Sequence, residues 1–190
     1  MINKTALVTG VSRPTGIGYA ICMQLLSEGY FVHAVYHSEN SCEIEFEKAY
    51  PKQYKMHQVD FSNRDDLCAF IAEMKKITLN LIVNNAGAFP DGEDYNNYDM
   101  SIWDEIFAIN VTAPFAISTG LKNAMVENGV IINIASTDGL KGSFSSMSYA
   151  ASKAALINAT QSLAINFGFD EKHIRVVAIA PGWVKTDVNM

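Results

Sequence analysis

The sequence predicts an α/β fold, a doubly wound parallel sheet with helices on both faces, and two observations carry that expectation. Short apolar, β-branched runs alternate with segments of helical hydrophobic spacing from one end of the chain to the other, as in a parallel sheet whose crossovers are helices. A glycine-rich turn, TGVSRPTGIG, stands between the first such run and the first helical segment, where a nucleotide-binding βαβ unit places it.

The strand-like runs are residues 5–9, 31–36, 54–59, 81–84, 130–135 and 175–180. A first helix is expected from about Gly16, with Ile17, Ala20, Ile21 and Leu25 on its apolar stripe and a stop at Gly29, a residue type suited to the position past a helix end. Ser62 followed by Asp65 reads as the amino-terminal cap of the next helix, through about Ile77, whose Leu67, Phe70, Ile71 and Met74 recur at helical spacing. A long helical region, 101–125, contains Pro114, which lacks an amide donor and predicts a kink. The last helix, 149–167, is small or apolar on nearly every side. A helix of that kind is normally buried all round, so a second subunit is expected to cover it, giving a homo-oligomer built through 101–125 and 149–167.

Composition narrows the function. The chain has 190 residues, 49% of them hydrophobic, enough for one domain with a substantial core. Its formal charge of −6 gives no electrostatic reason to expect nucleic acid or an anionic membrane as partner. Cys22, Cys42 and Cys68 are odd in number and widely spaced, without a CxxC, which fits reduced thiols rather than a disulfide framework or a metal site. The start, MINKTALVTG, lacks a signal peptide's apolar segment, and no run approaches the roughly 20 apolar residues of a membrane span. The expectation is a cytoplasmic protein.

The chemistry concentrates in STDGLKGSFSSMSYAASK, residues 136–153. Ser136 follows the apolar run 130–135, so its hydroxyl is expected at a strand's carboxyl end, where open α/β sheets bind ligands. Tyr149 and Lys153 stand at i and i+4, one above the other on a helix face. An ammonium beside a phenol favours the phenolate and lowers a pKa that is otherwise about 10, which makes the pair a candidate proton donor. Such a pair is also common on ordinary helix surface, and eight tyrosines make one match unsurprising. In the glycine loop, Gly10, Gly16 and Gly18 allow backbone to approach a pyrophosphate at a helix amino terminus, with Ser12, Arg13 and Ile17 alongside. The second strand ends VYHSEN: Tyr36 and His37 stand where a carboxylate would bind a ribose 2′-hydroxyl, and Glu39 comes late. Arg13 and His37 facing a 2′-phosphate favour NADP(H) over NAD(H), with His37 as a solvated loop residue the alternative.

Together these residues resemble the short-chain dehydrogenase/reductase family over nearly the whole chain, in five motifs that occur in order. They are the loop TGVSRPTGIG, Asp60 after the third strand, Asn84-Asn85-Ala86-Gly87 after the fourth, Ser136 with Tyr149 and Lys153, and Pro181-Gly182 followed by Thr186. Within the family the sequence is most similar to bacterial 3-oxoacyl-acyl carrier protein reductases and their relatives, through SEN after the second strand and SYAASK. The resemblance implies a Rossmann-type fold and a catalytic tetrad of Asn110, Ser136, Tyr149 and Lys153. It also implies that Asp60 accepts from the adenine amino group, that Asn84, Ala86 and Gly87 line the nucleotide ribose, and that Pro181, Gly182 and Thr186 touch the carboxamide and phosphate side of the cofactor. Asn110, in INVTAP, matches the residue that holds a proton-relay water near the lysine. Read without the family it is an interior amide satisfied by helix carbonyls.

The implied reaction is hydride transfer from NADPH to a carbonyl, with Tyr149 protonating the oxygen, Ser136 donating to it, and Lys153 lowering the Tyr149 pKa and binding the nicotinamide ribose. The substrate is a small molecule or an acyl thioester. The pocket over Tyr149 is expected between residues 139–147, 89–98 and the segment after Gly182. Asp91, Glu93 and Asp94 make one wall acidic, which disfavours an acidic carrier protein, unless they form only a solvated loop. A catalytically silent dinucleotide sensor is the alternative function. Two departures from the family pattern stand out. Five residues, Pro14 among them, separate Gly10 from Gly16 where three are usual. The sequence also stops at Met190, where members continue into a lid and a last strand, so the run 175–180 is expected as an exposed sheet edge.

Overall fold

The protein is described by a computed structural model over residues 4–38, 42–90 and 93–186. Glu39 and Asp91 lie outside the described residues. Six parallel strands form one sheet among those residues: β1 (Thr5–Thr9), β2 (Phe31–Tyr36), β3 (Tyr54–Gln58), β4 (Leu79–Asn84), β5 (Met125–Ile134) and β6 (Arg175–Ile179). Their order is β3-β2-β1-β4-β5-β6. Ala6 of β1 pairs with Val32 on one side and Leu81 on the other, so the winding reverses between β1 and β4, the doubly wound arrangement that opens a crevice at that point.

The helices are α1 (Ile17–Ser27), α2 (Glu43–Ala49), α3 (Arg64–Met74), α4 (Met100–Phe107), α5 (Ala113–Gly120) and α6 (Met147–Gly168). Strand alternation sends side chains to two cores. Ala6, Val8, Val32 and Ala34 pack under Cys22, Leu26 and Phe46 of α1 and α2. Leu7, Val35, Ile82 and Ile131 face Phe70, Ile117 and Leu163 of α3, α5 and α6. Gly29 sits just past α1 with φ 83°, the left-handed conformation expected of it.

Four elements differ from expectation. The cap of α3 is Asn63, whose side chain accepts from the Asp65 and Asp66 amides, while the Ser62 hydroxyl donates to Asp60. The region 101–125 is not one kinked helix. A π-turn at Ala108–Thr112 separates α4 from α5, and Pro114 falls in the first turn of α5, where a missing amide costs little. A single 3₁₀ turn, Lys122–Ala124, then leads into β5, which begins five residues before the apolar run. The polar Glu127-Asn128-Gly129 hides that start, with Asn128 at φ 59° and a register irregularity opposite it in β4. The short α2 has no apolar periodicity beyond Phe46 and was not expected.

β6 is an edge strand, as anticipated, with Val177 and Ile179 about half exposed. On the α1 side of β4, β5 and β6 an apolar groove of about 620 Å³ runs between α1 and Ile179, floored by Leu81, Val83, Ile132 and Ile134. Among the described residues no helix is long and apolar enough to cross a membrane.

Beneath α3 two histidines on neighbouring strands, His33 and His57, share a buried hydrogen bond, Nδ1 to Nε2, at 2.9 Å. Burial first, then His57 and Lys55, lowers the His33 pKa to about 4, with Glu73 opposing. Burial lowers His57 as well. The native pKa lies below the unfolded 6.5, so the unfolded state binds the extra proton between pH 6.5 and about 4, and stability falls as pH falls through that window. Thermal melts are expected to show this acid loss in the wild type and a flatter profile in His33→Val/His57→Val, which removes both partners together.

Candidate functional site

The crevice between β1 and β4 opens into a cleft of about 610 Å³. Gly10, Ser12, Arg13, Gly16 and Ile17 line it from the first loop, His37 from the end of β2, and Asn85, Gly87, Ala88 and Phe89 from the segment after β4. Ser136, Tyr149 and Lys153 form its far wall, with Pro181, Gly182, Val184 and Thr186 along the rim.

The loop after β1 can lie there only because its glycines lack side chains. Gly10 has φ 77°, and a Cβ on it would stand 2.7 Å from the Ala86 Cα. A Cβ on Gly18 would stand 2.4 Å from the Gly10 carbonyl oxygen, so α1 packs against the loop backbone to backbone. Gly18 and Ala86 therefore support the loop from behind and do not line the cleft. The two extra residues between Gly10 and Gly16 are taken up in a turn closed by the Gly16 amide donating to the Arg13 carbonyl at 3.0 Å, with Pro14 where no donor is needed. Gly16 caps α1 with no side-chain hydrogen bond to its first-turn amides.

Two residues that sequence reasoning missed join the loop to β4. The Thr9 hydroxyl accepts from the Asn85 and Ala86 amides at 3.0 Å each, and the Asn85 side chain donates to the Thr9 and Gly10 carbonyls at 2.9 and 3.1 Å. Asn84, by contrast, does not reach the cleft. As the last residue of β4 it turns the opposite way, into the interior, and donates to Asn133 at 2.8 Å and Ser118 at 3.2 Å. Asp60 stands beside the cleft rather than in it. Its carboxylate accepts from the Ser62 hydroxyl at 2.6 Å and lies 3.8 Å from the His37 ring, and the Ser62 bond is the main reason its pKa is held low.

Ser136 follows β5, and its hydroxyl accepts from the Asp138 amide at 3.1 Å. Tyr149 lies in the first turn of α6, and Lys153 one turn on, its ammonium 5.5 Å from the Tyr149 ring centre. The ammonium is buried, 3% exposed, and donates to the Ile134 carbonyl at 2.9 Å. Burial lowers its pKa to about 8. The Tyr149 pKa moves up, opposite to what an adjacent ammonium predicts. Burial raises it, the Ser136 hydroxyl pulls it back, and Asp138 adds to the rise.

Asn110 is fully buried in the π-turn, behind the cleft. Its side chain accepts from the Ala88 amide at 2.8 Å and donates to the Ala88 carbonyl at 2.9 Å and to Ser152 at 3.0 Å. Interrupted helices of this kind recur at functional sites, and here the interruption holds the segment after β4 against α6. The Phe89 ring lies 4.9 Å from the Tyr149 ring. The acidic wall resolves differently from expectation: Glu93 turns onto the start of α6 and accepts from the Met147 and Ser148 amides, while Asp94 accepts from the Asn96 amide within its own loop. Among the described residues no group of three or more His, Cys, Asp or Glu could hold a metal ion.

A family model described as short chain dehydrogenase matches residues 4–190. The chain is 36% identical over 193 residues to 2-dehydro-3-deoxy-D-gluconate 5-dehydrogenase of Pseudoalteromonas atlantica, covering 97% of this chain and 74% of that protein. It is 32% identical over 198 residues to the 3-oxoacyl-acyl-carrier-protein reductase FabG of Chlamydia trachomatis, covering 100% and 77%. The carrier-protein reductases are thus no nearer than a sugar-acid dehydrogenase, and the finer resemblance is not singled out. Among solved structures, BdcA in complex with NADPH superposes with a TM-score of 0.85 at 28% identity, over 98% of this chain and 73% of that one. A 4-hydroxyisoleucine dehydrogenase complexed with NADH gives 0.86 at 28%, over 98% and 76%.

The buried ammonium has a measurable consequence. Unfolded lysine titrates near 10.5 and native Lys153 near 8, so between those values the unfolded state holds the extra proton and native stability rises with pH. Relative to Lys153→Met, which has no such proton, the wild type is expected to gain about 3 kcal/mol between pH 8 and 10.5. Paired denaturant titrations across that range check it, and a gap that stays constant would show that the ammonium is not desolvated.

Proposed function

The chain belongs to the short-chain dehydrogenase/reductase family and is an NAD(P)-dependent oxidoreductase, and from that premise we propose that it uses NADP(H) to reduce a carbonyl, in a 3-oxoacyl thioester or a small ketone, to a secondary alcohol. The observation that supports this best is the convergence of Ser136, Tyr149 and Lys153 on one cleft whose opposite wall is a glycine loop that tolerates no side chains at Gly10 and Gly18.

The residues present fit a dinucleotide. The first turn of α1 has no side-chain cap, and its amides and partial positive charge suit a pyrophosphate. Gly10, Ser12, Arg13, Gly16 and Ile17 would hold that end, with His37 and Asp60 on the adenosine side, Ala86 and Gly87 behind the ribose, and Pro181, Gly182 and Thr186 at the nicotinamide. Arg13 and His37 in the cleft support NADP(H), because they can face a 2′-phosphate. When bound, the dinucleotide supplies the hydride.

The protein's own part is proton transfer and orientation. A Tyr149 pKa raised by burial keeps the phenol protonated at neutral pH, the form that donates to a carbonyl oxygen gaining negative charge. Ser136 donates a second hydrogen bond to that oxygen. Lys153, fixed by the Ile134 carbonyl, faces the same space and re-protonates the phenol side of the cleft, while Asn110 holds the Ala88 backbone that frames it.

Tyr149→Phe is expected to lower turnover of a ketone and 3-oxoacyl-thioester panel by more than about a thousandfold, since it removes the proton donor outright. Fluorescence titration of the same variant is expected to give an NADPH affinity within about twofold of wild type and tighter than for NADH. Binding without turnover in the wild type would instead favour a silent sensor. The proposed homo-oligomer rests on the outer faces of α5 and α6, where Phe115 and Ile165 are exposed. Light scattering is expected to give a dimer or tetramer, and Ile165→Glu to shift it toward monomer.

A further inference from the structure

The helix that carries Tyr149 and Lys153 starts without a cap of its own. The residue at its N-cap position, Ser146, makes no side-chain hydrogen bond to the helix, and its hydroxyl pairs instead with Ser143 at 2.8 Å. The first amides of any helix need partners. Here they come from Glu93, 54 residues away in sequence. One carboxylate oxygen accepts from the Met147 amide, the other from the Ser148 amide at 3.1 Å, and the Tyr98 hydroxyl donates to the latter oxygen at 2.8 Å. A negative charge at this end of a 22-residue helix is also where the backbone dipoles favour it. Burial pushes the Glu93 pKa up, but these hydrogen bonds outweigh it and hold the carboxyl low, ionised at neutral pH.

Glu93 follows in sequence a stretch, Gly87 to Phe89, that lines the cleft. Asn110 grips it at Ala88, and the Tyr95 hydroxyl donates to the Phe144 carbonyl at 2.5 Å. Between these ties Phe89 lies against Tyr149. Tyr149 is the next residue after Ser148, so a shift of the capped amides carries the phenol with it.

We propose that Glu93 is a positioning residue for Tyr149: its carboxylate supplies the amino-terminal cap of α6 and so sets the phenol against Ser136. The inference rests on the oxidoreductase function proposed above. A displacement of about 1 Å at a reacting group is enough to cost about a hundredfold in rate, while the cofactor contacts of the glycine loop lie on other elements and stay in place.

The test uses the full chain and whichever of ethyl acetoacetate, cyclohexanone and acetoacetyl-CoA the wild type reduces with NADPH. Glu93→Ala is expected to lower kcat about 10- to 100-fold with KM and NADPH affinity within about twofold. Glu93→Gln, which keeps an acceptor oxygen, is expected to recover kcat to within about fivefold of wild type. Hydrogen exchange of amides 147–153 is expected to quicken at least about tenfold in Glu93→Ala and much less in Glu93→Gln. A Glu93→Ala enzyme with kcat within twofold of wild type overturns the proposal, as does a rise in KM alone, which would make Glu93 a substrate contact. A wild type that reduces none of the three probes counts against the oxidoreductase function instead. Exchange then decides on Glu93 by itself, unchanged rates at 147–153 overturning its role.

Discussion

The site is built around a buried ammonium. Taking Lys153 out of water is unfavourable, as its lowered pKa records, and the surrounding structure compensates in a specific way. The Ile134 carbonyl, at the carboxyl end of β5, accepts from it. Two glycines lie close around the lysine. A Cβ on Gly87 would come within 3.4 Å of both the Lys153 ammonium and the Asn110 side chain, and a Cβ on Gly139 would stand 2.7 Å from the Lys153 backbone. The loops after β4 and β5 therefore close on α6 from two sides, and the lysine is the object they close around. Ser136 and Tyr149 occupy the positions left open to the cleft.

The electrostatics of the pair follow from the same burial. Sequence adjacency predicts attraction between an ammonium and an incipient phenolate, hence a lowered tyrosine pKa. In the structure the dominant influence on both groups is desolvation, which moves each toward its neutral form: Tyr149 up and Lys153 down. A neutral phenol is the acid a reduction needs. A lysine that titrates near 8 can give up a proton close to neutral pH. Burial thus separates the two groups in proton affinity, leaving the phenol as the firmer holder of a proton and the ammonium as the readier source of one, where adjacency alone predicts a lowered phenol.

Much of this was legible in the sequence, and the parts that were not share a physical reason. β1 and β2 were read to the residue because short, largely apolar runs close to Gly10 and Gly29 leave little choice, and Tyr149 and Lys153 because i, i+4 spacing survives any packing. Asn84 and Asn85 were not separable. Their identical side chains differ only in strand phase, which sends the first into the interior and the second to the glycine loop. Asn63 and Ser62 are both good caps, and only the backbone geometry selects between them. Thr9 and Glu93 act through hydrogen bonds to backbone 76 and 54 residues away, contacts that no local pattern encodes. The start of β5 was hidden because a strand held by ladder pairing tolerates the polar residues 127–129 that hydropathy rejects.

The cleft and the apolar groove on the α1 side of the sheet are separate in chemistry but continuous in structure. Gly16, Ile17, Ile134, Val184 and Thr186 border both. The partition between them is the segment after β6, joined to the turn after β5 where the Thr137 amide donates to the Pro181 carbonyl at 3.0 Å. One side of that segment meets polar groups at the mouth of the crevice, and the other meets the bare faces of β4, β5 and β6. The segment therefore meets two environments at once: the Pro181 carbonyl is hydrogen-bonded to the turn after β5, and Val184, still exposed, borders the apolar groove. The geometry at Pro181, Gly182 and Thr186 is in this way coupled to how the apolar face is covered, whereas the geometry at Ser136, Tyr149 and Lys153, fixed from inside the sheet, is not.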